Sequence, residues 1–309
     1  MKKYAIGADI GGSHISSVLI DVENECMLAE SFSSQKVNNK DTAENILKIW
    51  ALTIKKAIGE NNISELQGIG FAMPGPFDYA NGIAKFTKAV AKYENLYDVN
   101  IGGRLRGMLG LDIPFRFMND ATSFAVGESW IGNAKDYDKT IAITLGTGFG
   151  SAFIDSGIPV LEGSSVPKMG CVWHLPYKDG IADDYFSTRW FVQECIKKTG
   201  KALHGVKEIS EEAQKNPVVK LIFEEFGTNL GTFLAPWAKR FGAECLIIGG
   251  NVAGAYDLFG ANLEIALKKE AGHIKIQLSE LMEAAAMVGC ARLLEENFWN
   301  KVKPLLPKM

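Results

Sequence analysis

Two aspartates stand where neighbouring residues could give them chemistry. Asp9 is the last residue but one of an apolar run, YAIGADI (residues 4–10), which Gly11-Gly12-Ser13-His14 separates from a second apolar run. Without a Cβ, glycines at such a turn let backbone N–H groups come close to phosphate oxygens, and Ser13 adds a hydroxyl. A carboxylate beside them can hold Mg²⁺ directly or through water. Asp120 follows the run PFRFM and Asn119, and opens the helical-looking segment ATSFAVGESW. A carboxylate at a strand's end can accept a hydrogen bond from an alcohol and take its proton late in a phosphoryl transfer. Asn119 can both donate and accept, and so orient a hydroxyl. A second glycine turn, Gly146-Thr147-Gly148, and a third, Gly249-Gly250-Asn251, also follow apolar runs. Each feature has a plainer alternative: ordinary hairpin turns for the first two glycine sites, a strand–helix turn for the third, and a helix N-cap for Asp120.

The elements that must position these residues can be read from periodicity. Residues 4–10 and 15–21 form two strands across the first glycine turn, and 140–145 and 151–154 form two more across the second. Asp41 to Glu60 carries Ile46, Leu47, Trp50, Ile54, Ala57 and Ile58 at helical spacing, with Asp41 as N-cap. Strands at 68–73 and 114–118 follow, separated by a Pro-Gly-Pro loop. Later come a long helix at about 217–240, a strand at 245–250, and closing helices near 257–270 and 280–297. Two copies of "hairpin with a glycine turn, then strands and helices" predict a duplicated α/β architecture with a central cleft. The expected domains are residues 1–119, rejoined by a C-terminal helix at 296–309, and residues 120–295.

Composition narrows the classes. The chain has 309 residues, 47% hydrophobic and 22% charged, with a net charge of −3, which gives no electrostatic footprint for nucleic acid or an anionic membrane. Cys26, Cys171, Cys195, Cys245 and Cys290 include no CxxC pair, so a disulfide or zinc framework is not expected. MKKYAIGADIGG turns to Asp and Gly too early for a signal peptide, and Thr140 to Ile154 is too short and glycine-rich to span a bilayer. A cytoplasmic protein is expected. Neither glycine loop is a Walker A motif. Gly146 to Ser151 also fails the dinucleotide fingerprint, because Ser151 replaces the third glycine and a strand follows.

Taken in order, these segments resemble the ROK family of sugar kinases and sugar-responsive repressors. DIGGSH is similar to the family's first phosphate loop, MPGPFD to its PGPVD-like loop, and MNDATSFAVGE to its catalytic NDAN…GE segment. LGTGFGSAFIDSG is similar to the second phosphate loop, LIIGGN to the nucleoside turn and AAAMVGCARL to the closing helix, so the resemblance covers essentially the whole chain. It implies an actin-like (ribonuclease H-like) fold, ATP and Mg²⁺ as cofactors, and transfer of the γ-phosphate to a hexose hydroxyl, at the 6-position by analogy. Asp120 would be the base, and Asn119, Gly75, His174 and Asp183 would face the sugar. Asp9 would serve Mg²⁺. Gly11, Gly12, Ser13, His14, Gly146, Thr147, Gly148, Gly249, Gly250 and Asn251 would hold nucleotide. A homodimer is implied as well.

The departures bear on substrate. In MGCVWHLPYKDGIADDYFS, His174 stands for the histidine of the family's EIGH segment, Cys171 replaces its Glu, and Asp183 falls where a second sugar-binding Glu would lie. The family's zinc cysteines are missing, and one histidine cannot complete a site of four N or S ligands, so no zinc is expected. Plain glucose thus becomes an open choice beside an N-acetylated amino sugar, mannose, fructose or a glycoside. A sugar-responsive regulator is disfavoured, because DIGG at residue 9 leaves no room for a preceding helix-turn-helix domain. A catalytically silent sugar or nucleotide binder stays open, motivated by Cys171.

Overall fold

The computed structural model describes residues 3–59, 63–87 and 93–309; Met1 and Lys2 of the N-terminal reading and the expected helix end at Glu60 lie outside them. In chain order the elements are β1 (Tyr4–Ile10), β2 (His14–Asp21), β3 (Cys26–Lys36), α1 (Ala43–Ile58), β4 (Leu66–Met73), β5 (Phe77–Asp78), β6 (Ile83–Ala84), α2 (Ile101–Leu109), β7 (Phe115–Asn119) and α3 (Asp120–Trp130). Then follow β8 (Lys139–Leu145), β9 (Phe149–Asp155), β10 (Ile158–Pro159), β11 (Pro176–Tyr177), β12 (Gly180–Ile181), α4 (Ala182–Tyr185), α5 (Thr188–Thr199), α6 (Val206–Ala213) and α7 (Pro217–Phe241). The chain ends with β13 (Cys245–Gly249), α8 (Tyr256–Ala271), β14 (Lys275–Leu278), α9 (Ala284–Ala291) and α10 (Glu296–Val302). It divides into two compact units, one running to Gly132 and taking in Glu283–Met309, the other Asn133–Met282.

The first unit holds a sheet in the order β3-β2-β1-β4-β7. β1, β2 and β3 are antiparallel neighbours, while β4 and β7 run parallel to β1. The second unit repeats the plan as β10-β9-β8-β13-β14, with an antiparallel hairpin on one side and parallel strands on the other. Both hairpins turn on the expected glycines. Residues 280–297, read as one helix, are instead α9, a 3₁₀ turn over Arg292–Leu294, and α10. At α1 the N-cap is Thr42, whose hydroxyl accepts from Asn45 N–H; Asp41 stands one residue earlier and accepts from Thr42 N–H and the Asn45 amide.

In the first unit α9 lies directly on the sheet and on α3, and glycines make that approach possible. A Cβ at Gly70 would fall 1.9 Å from the Cys290 carbonyl oxygen, and one at Gly289 would fall 1.8 Å from that of Ser123. The second unit closes around aromatics: Phe149, Phe153, Phe186, Phe191, Phe223, Phe226, Phe241 and Phe259 are all buried. Burying each such ring is worth about 1.5–3 kcal/mol, which makes this core the unit's main source of cohesion.

Candidate active site

Parallel pairing gathers the first unit's candidate residues. Asp9 is level with Ala72 of β4, and Met73 is level with Asn119 of β7, so all three strands end at one edge. Asp9, the loop through Gly75 (whose bond to Pro76 is cis) and Asn119-Asp120 therefore stand side by side at the carboxyl ends of β1, β4 and β7.

Asp120 is not the N-cap of α3. That place belongs to Asn119, whose Oδ1 accepts from Thr122 N–H at 3.1 Å and from the Thr122 hydroxyl at 3.3 Å. Asp120 is the first residue of the helix proper, where the free N–H groups of the first turn favour a negative charge. Its Oδ1 accepts from Ala121 N–H at 2.8 Å and from Asn119 Nδ2 at 3.0 Å. Asn119 Nδ2 also donates to the Tyr79 hydroxyl at 3.3 Å, and Tyr79 donates to the Met73 carbonyl at 3.2 Å. A Cβ on Gly75 would lie 3.6 Å from that same hydroxyl. Tyr79 thus ties the Pro-Gly-Pro loop to the Asn119-Asp120 corner, a link no sequence spacing announces.

Asp9 keeps some solvent-accessible surface yet is deeply enclosed. Burial, then the negative charges of Asp120 and Glu283, push its carboxyl up to about 7. Glu283, at the N-cap of α9, is far away in sequence and escaped notice there for that reason. The loop after Asp9 is tightly held: Gly11 N–H donates to His14 C=O, and the His14 ring covers Gly11 so closely that a Cβ would meet Cε1 at 2.7 Å.

The second unit gathers its own set. Gly146 to Gly148 link β8 to β9, closed by a Gly146 N–H to Gly148 C=O bond of 3.0 Å, with Thr147 between them. Gly250 stands at φ +84°, and a Cβ there would lie 2.4 Å from the Leu145 carbonyl oxygen, so the Gly249-Gly250-Asn251 turn abuts the start of the Gly146 loop. Asp183 also meets this loop: its Oδ1 accepts from Phe149 N–H at 2.7 Å, and its Oδ2 from Arg189 at 2.6 Å. Thr188 N–H donates to Gly146 C=O at 2.8 Å. Arg189 is a residue the sequence reading missed.

His174 lies on the segment before the β11–β12 hairpin, its Nδ1 3.7 Å from Cys171 Sγ. Burial and then Lys168 push its imidazole below the ordinary histidine value, so the ring is neutral at physiological pH. Burial pushes the Cys171 thiol up to about 11, so it stays protonated. Tyr177 of the hairpin packs on Tyr185, Phe186 and Phe233. Among the described residues no group of three or more His, Cys, Asp or Glu could hold a metal ion. Among those residues, too, no helix is long and apolar enough to cross a membrane.

A family model described as the ROK family matches residues 5–297. The chain is 24% identical to the glucokinase of Thermotoga maritima, covering 96% of this chain and 98% of that protein. It is 22% identical to a putative xylose repressor of a Caldicellulosiruptor species, covering 94% of this chain and 77% of that protein. In structure it is similar to a ROK family glucokinase from Streptomyces griseus in complex with glucose and AMPPNP, with a TM-score of 0.74, 23% identity and coverage of 95% and 99% of the two chains. That likeness shows that the chain shares the two-sheet α/β fold of that structure.

Proposed function

The chain belongs to the ROK family, and from that premise we propose that it is an ATP-dependent kinase of a hexose or hexose derivative with Asp120 as its base. The observation that carries this reading is the carboxylate pair at one sheet edge: Asp120 at the head of α3, and Asp9 beside a glycine turn with its carboxyl pushed up to about 7. A hydroxyl bound at Asp120 gives its proton to the carboxylate as the alcohol oxygen attacks the γ-phosphorus. The bond from that phosphorus to the bridging oxygen breaks, and ADP departs. Asp120 Oδ1 is already held by Ala121 N–H and Asn119, so the carboxylate is oriented before substrate arrives. In this reading Asn119 and Gly75 line the sugar's place beside Asp120.

Magnesium fits the residues present. A carboxyl raised by burial and then by like charges is short of counter-charge, which suits a hard dication with oxygen ligands. Asp9 would hold the ion, and the ion would neutralise charge on the phosphates. Gly11, Gly12, Ser13, His14, Gly146, Thr147, Gly148, Gly249, Gly250 and Asn251 are assigned to nucleotide on the resemblance. A structural zinc does not fit the His174 segment, where Tyr177 secures the hairpin by aromatic packing instead. His174 and Asp183 are assigned to the sugar on the resemblance, and a homodimer rests on it too.

The repressor relative favours a second reading, a ROK protein that binds sugar or nucleotide without transferring phosphate. The test is ADP release from Mg·ATP over a panel of hexoses, N-acetylated amino sugars and glycosides, with the product identified by mass. Turnover on a panel sugar, giving a product heavier by one phosphoryl group, supports the kinase. Binding without turnover on any of them supports the second reading.

A further inference from the structure

The turn between β1 and β2 is held from outside the hairpin. The Gly11 carbonyl accepts from the Tyr93 hydroxyl at 2.8 Å, 82 residues away in sequence. The Gly12 carbonyl accepts from Asn39 Nδ2 at 2.6 Å, and the Ser13 carbonyl from Val37 N–H at 2.8 Å. Two of these three donors are side chains that the sheet does not require.

In a trans peptide the C=O and the following N–H point in opposite directions. Fixing the Gly11 oxygen on Tyr93 therefore turns the Gly12 N–H away from Tyr93, and fixing the Gly12 oxygen on Asn39 turns the Ser13 N–H away from Asn39. Successive N–H groups with fixed directions are what an anion-binding turn needs, and a glycine-rich turn left to itself would sample many orientations. Tyr93 can hold its end of such a bond firmly, because it is 1% exposed and its ring stands edge-on to Trp50 at 5.4 Å. Burial above all, and after it the charge of Asp9, keep its phenol protonated and able to donate.

We infer that Tyr93 and Asn39 are positioning residues that preset the first glycine turn for the phosphates of the nucleotide, an inference that rests on the kinase reading above. They act through the backbone of Gly11 and Gly12 and touch no substrate. Losing either donor frees one peptide plane and weakens the grip on phosphate, while adenosine, which carries no phosphate, is held as before.

The test compares Mg·AMPPNP and adenosine binding by calorimetry in the full chain, its Tyr93→Phe variant and its Asn39→Ala variant, together with melting temperatures. Tyr93→Phe keeps the buried ring and removes a single hydroxyl, and Asn39→Ala, at a half-buried position, provides an independent second variant. The expected result is AMPPNP affinity lowered about 5- to 30-fold in each, with adenosine affinity unchanged and the melting temperature lowered by no more than the few degrees that one lost hydrogen bond costs. Unchanged AMPPNP affinity in both variants overturns the inference. So does an equal loss for AMPPNP and adenosine alongside a lower melting temperature, which marks a purely structural role. A parent protein that binds neither ligand defeats the kinase reading itself, and the inference with it.

Discussion

At the residue scale the informative group is Asp9. Its carboxyl is raised from the usual aspartate range to about 7, first by burial and then by Asp120 and Glu283. Below about pH 4 both folded and unfolded chains carry this proton. As pH rises toward 7 the unfolded chain releases it and the folded chain keeps it, so Asp9 costs the ligand-free protein stability across that window and adds no further change above it. Urea midpoints of the parent and Asp9→Asn at pH 5 and pH 8 check this. The parent should lose up to about 3 kcal/mol relative to the variant between the two pH values, and parallel behaviour would contradict it. Sequence spacing was enough to single out Asp9 and Asp120, because Asp9 lies near the end of an apolar run just before a glycine turn and Asp120 stands just after a strand at the start of a helix. It could not distinguish a cap from a base at Asp120. The structure gives the cap to Asn119, whose side chain closes on Thr122, and so frees Asp120 of that role. Tyr79, Tyr93, Asn39 and Glu283 were not legible, since their contacts join segments that only the folded sheet brings together.

At the element scale the first unit depends on α9 seating without side chains in the way. Gly289 faces α3, and a Cβ there would overlap the Ser123 carbonyl at 1.8 Å, a backbone atom that cannot step aside. Gly289→Ala should therefore cost about 3 kcal/mol or more, the upper end for overpacking, and lower the thermal midpoint accordingly. An unchanged midpoint would show that α9 shifts freely on α3. The strands around the two glycine turns were readable because they are apolar and bounded by glycine. β3 was not, because it is an edge strand of mostly exposed and polar residues, with Ser33 near its far end and Val37 just beyond it buried. Asp41 and Thr42 show the limit at helix starts: both are good caps, and only the bond from Asn45 N–H to the Thr42 hydroxyl decides between neighbours.

At the scale of the molecule, the duplicated plan was visible as two hairpin-and-glycine beginnings, at residues 4–21 and 140–154, and the two sheets share it strand for strand. The chain's return was harder to read, because small residues such as those of AAAMVGCARL fit any tightly packed helix. Residues from Glu283 onward complete the first unit, so cutting the chain after Met282 should unfold β1 and β4 while leaving residues 133–282 folded. Hydrogen exchange read by mass spectrometry would report lost protection in residues 4–10 and 66–73 with protection retained in β8 and β13. Full protection in β1 and β4 would contradict the assignment.

In the proposed reaction the Asp120 carboxylate takes a sugar hydroxyl's proton during transfer from ATP. The most direct measurement is single-turnover phosphoryl transfer by the parent and by Asp120→Asn, on the best sugar of the panel, with sugar and Mg·AMPPNP affinities measured alongside. The expected rate for Asp120→Asn is lower by about a hundred- to ten-thousand-fold, with both affinities within a few-fold of the parent. A variant that transfers phosphate at the parent's rate would contradict it.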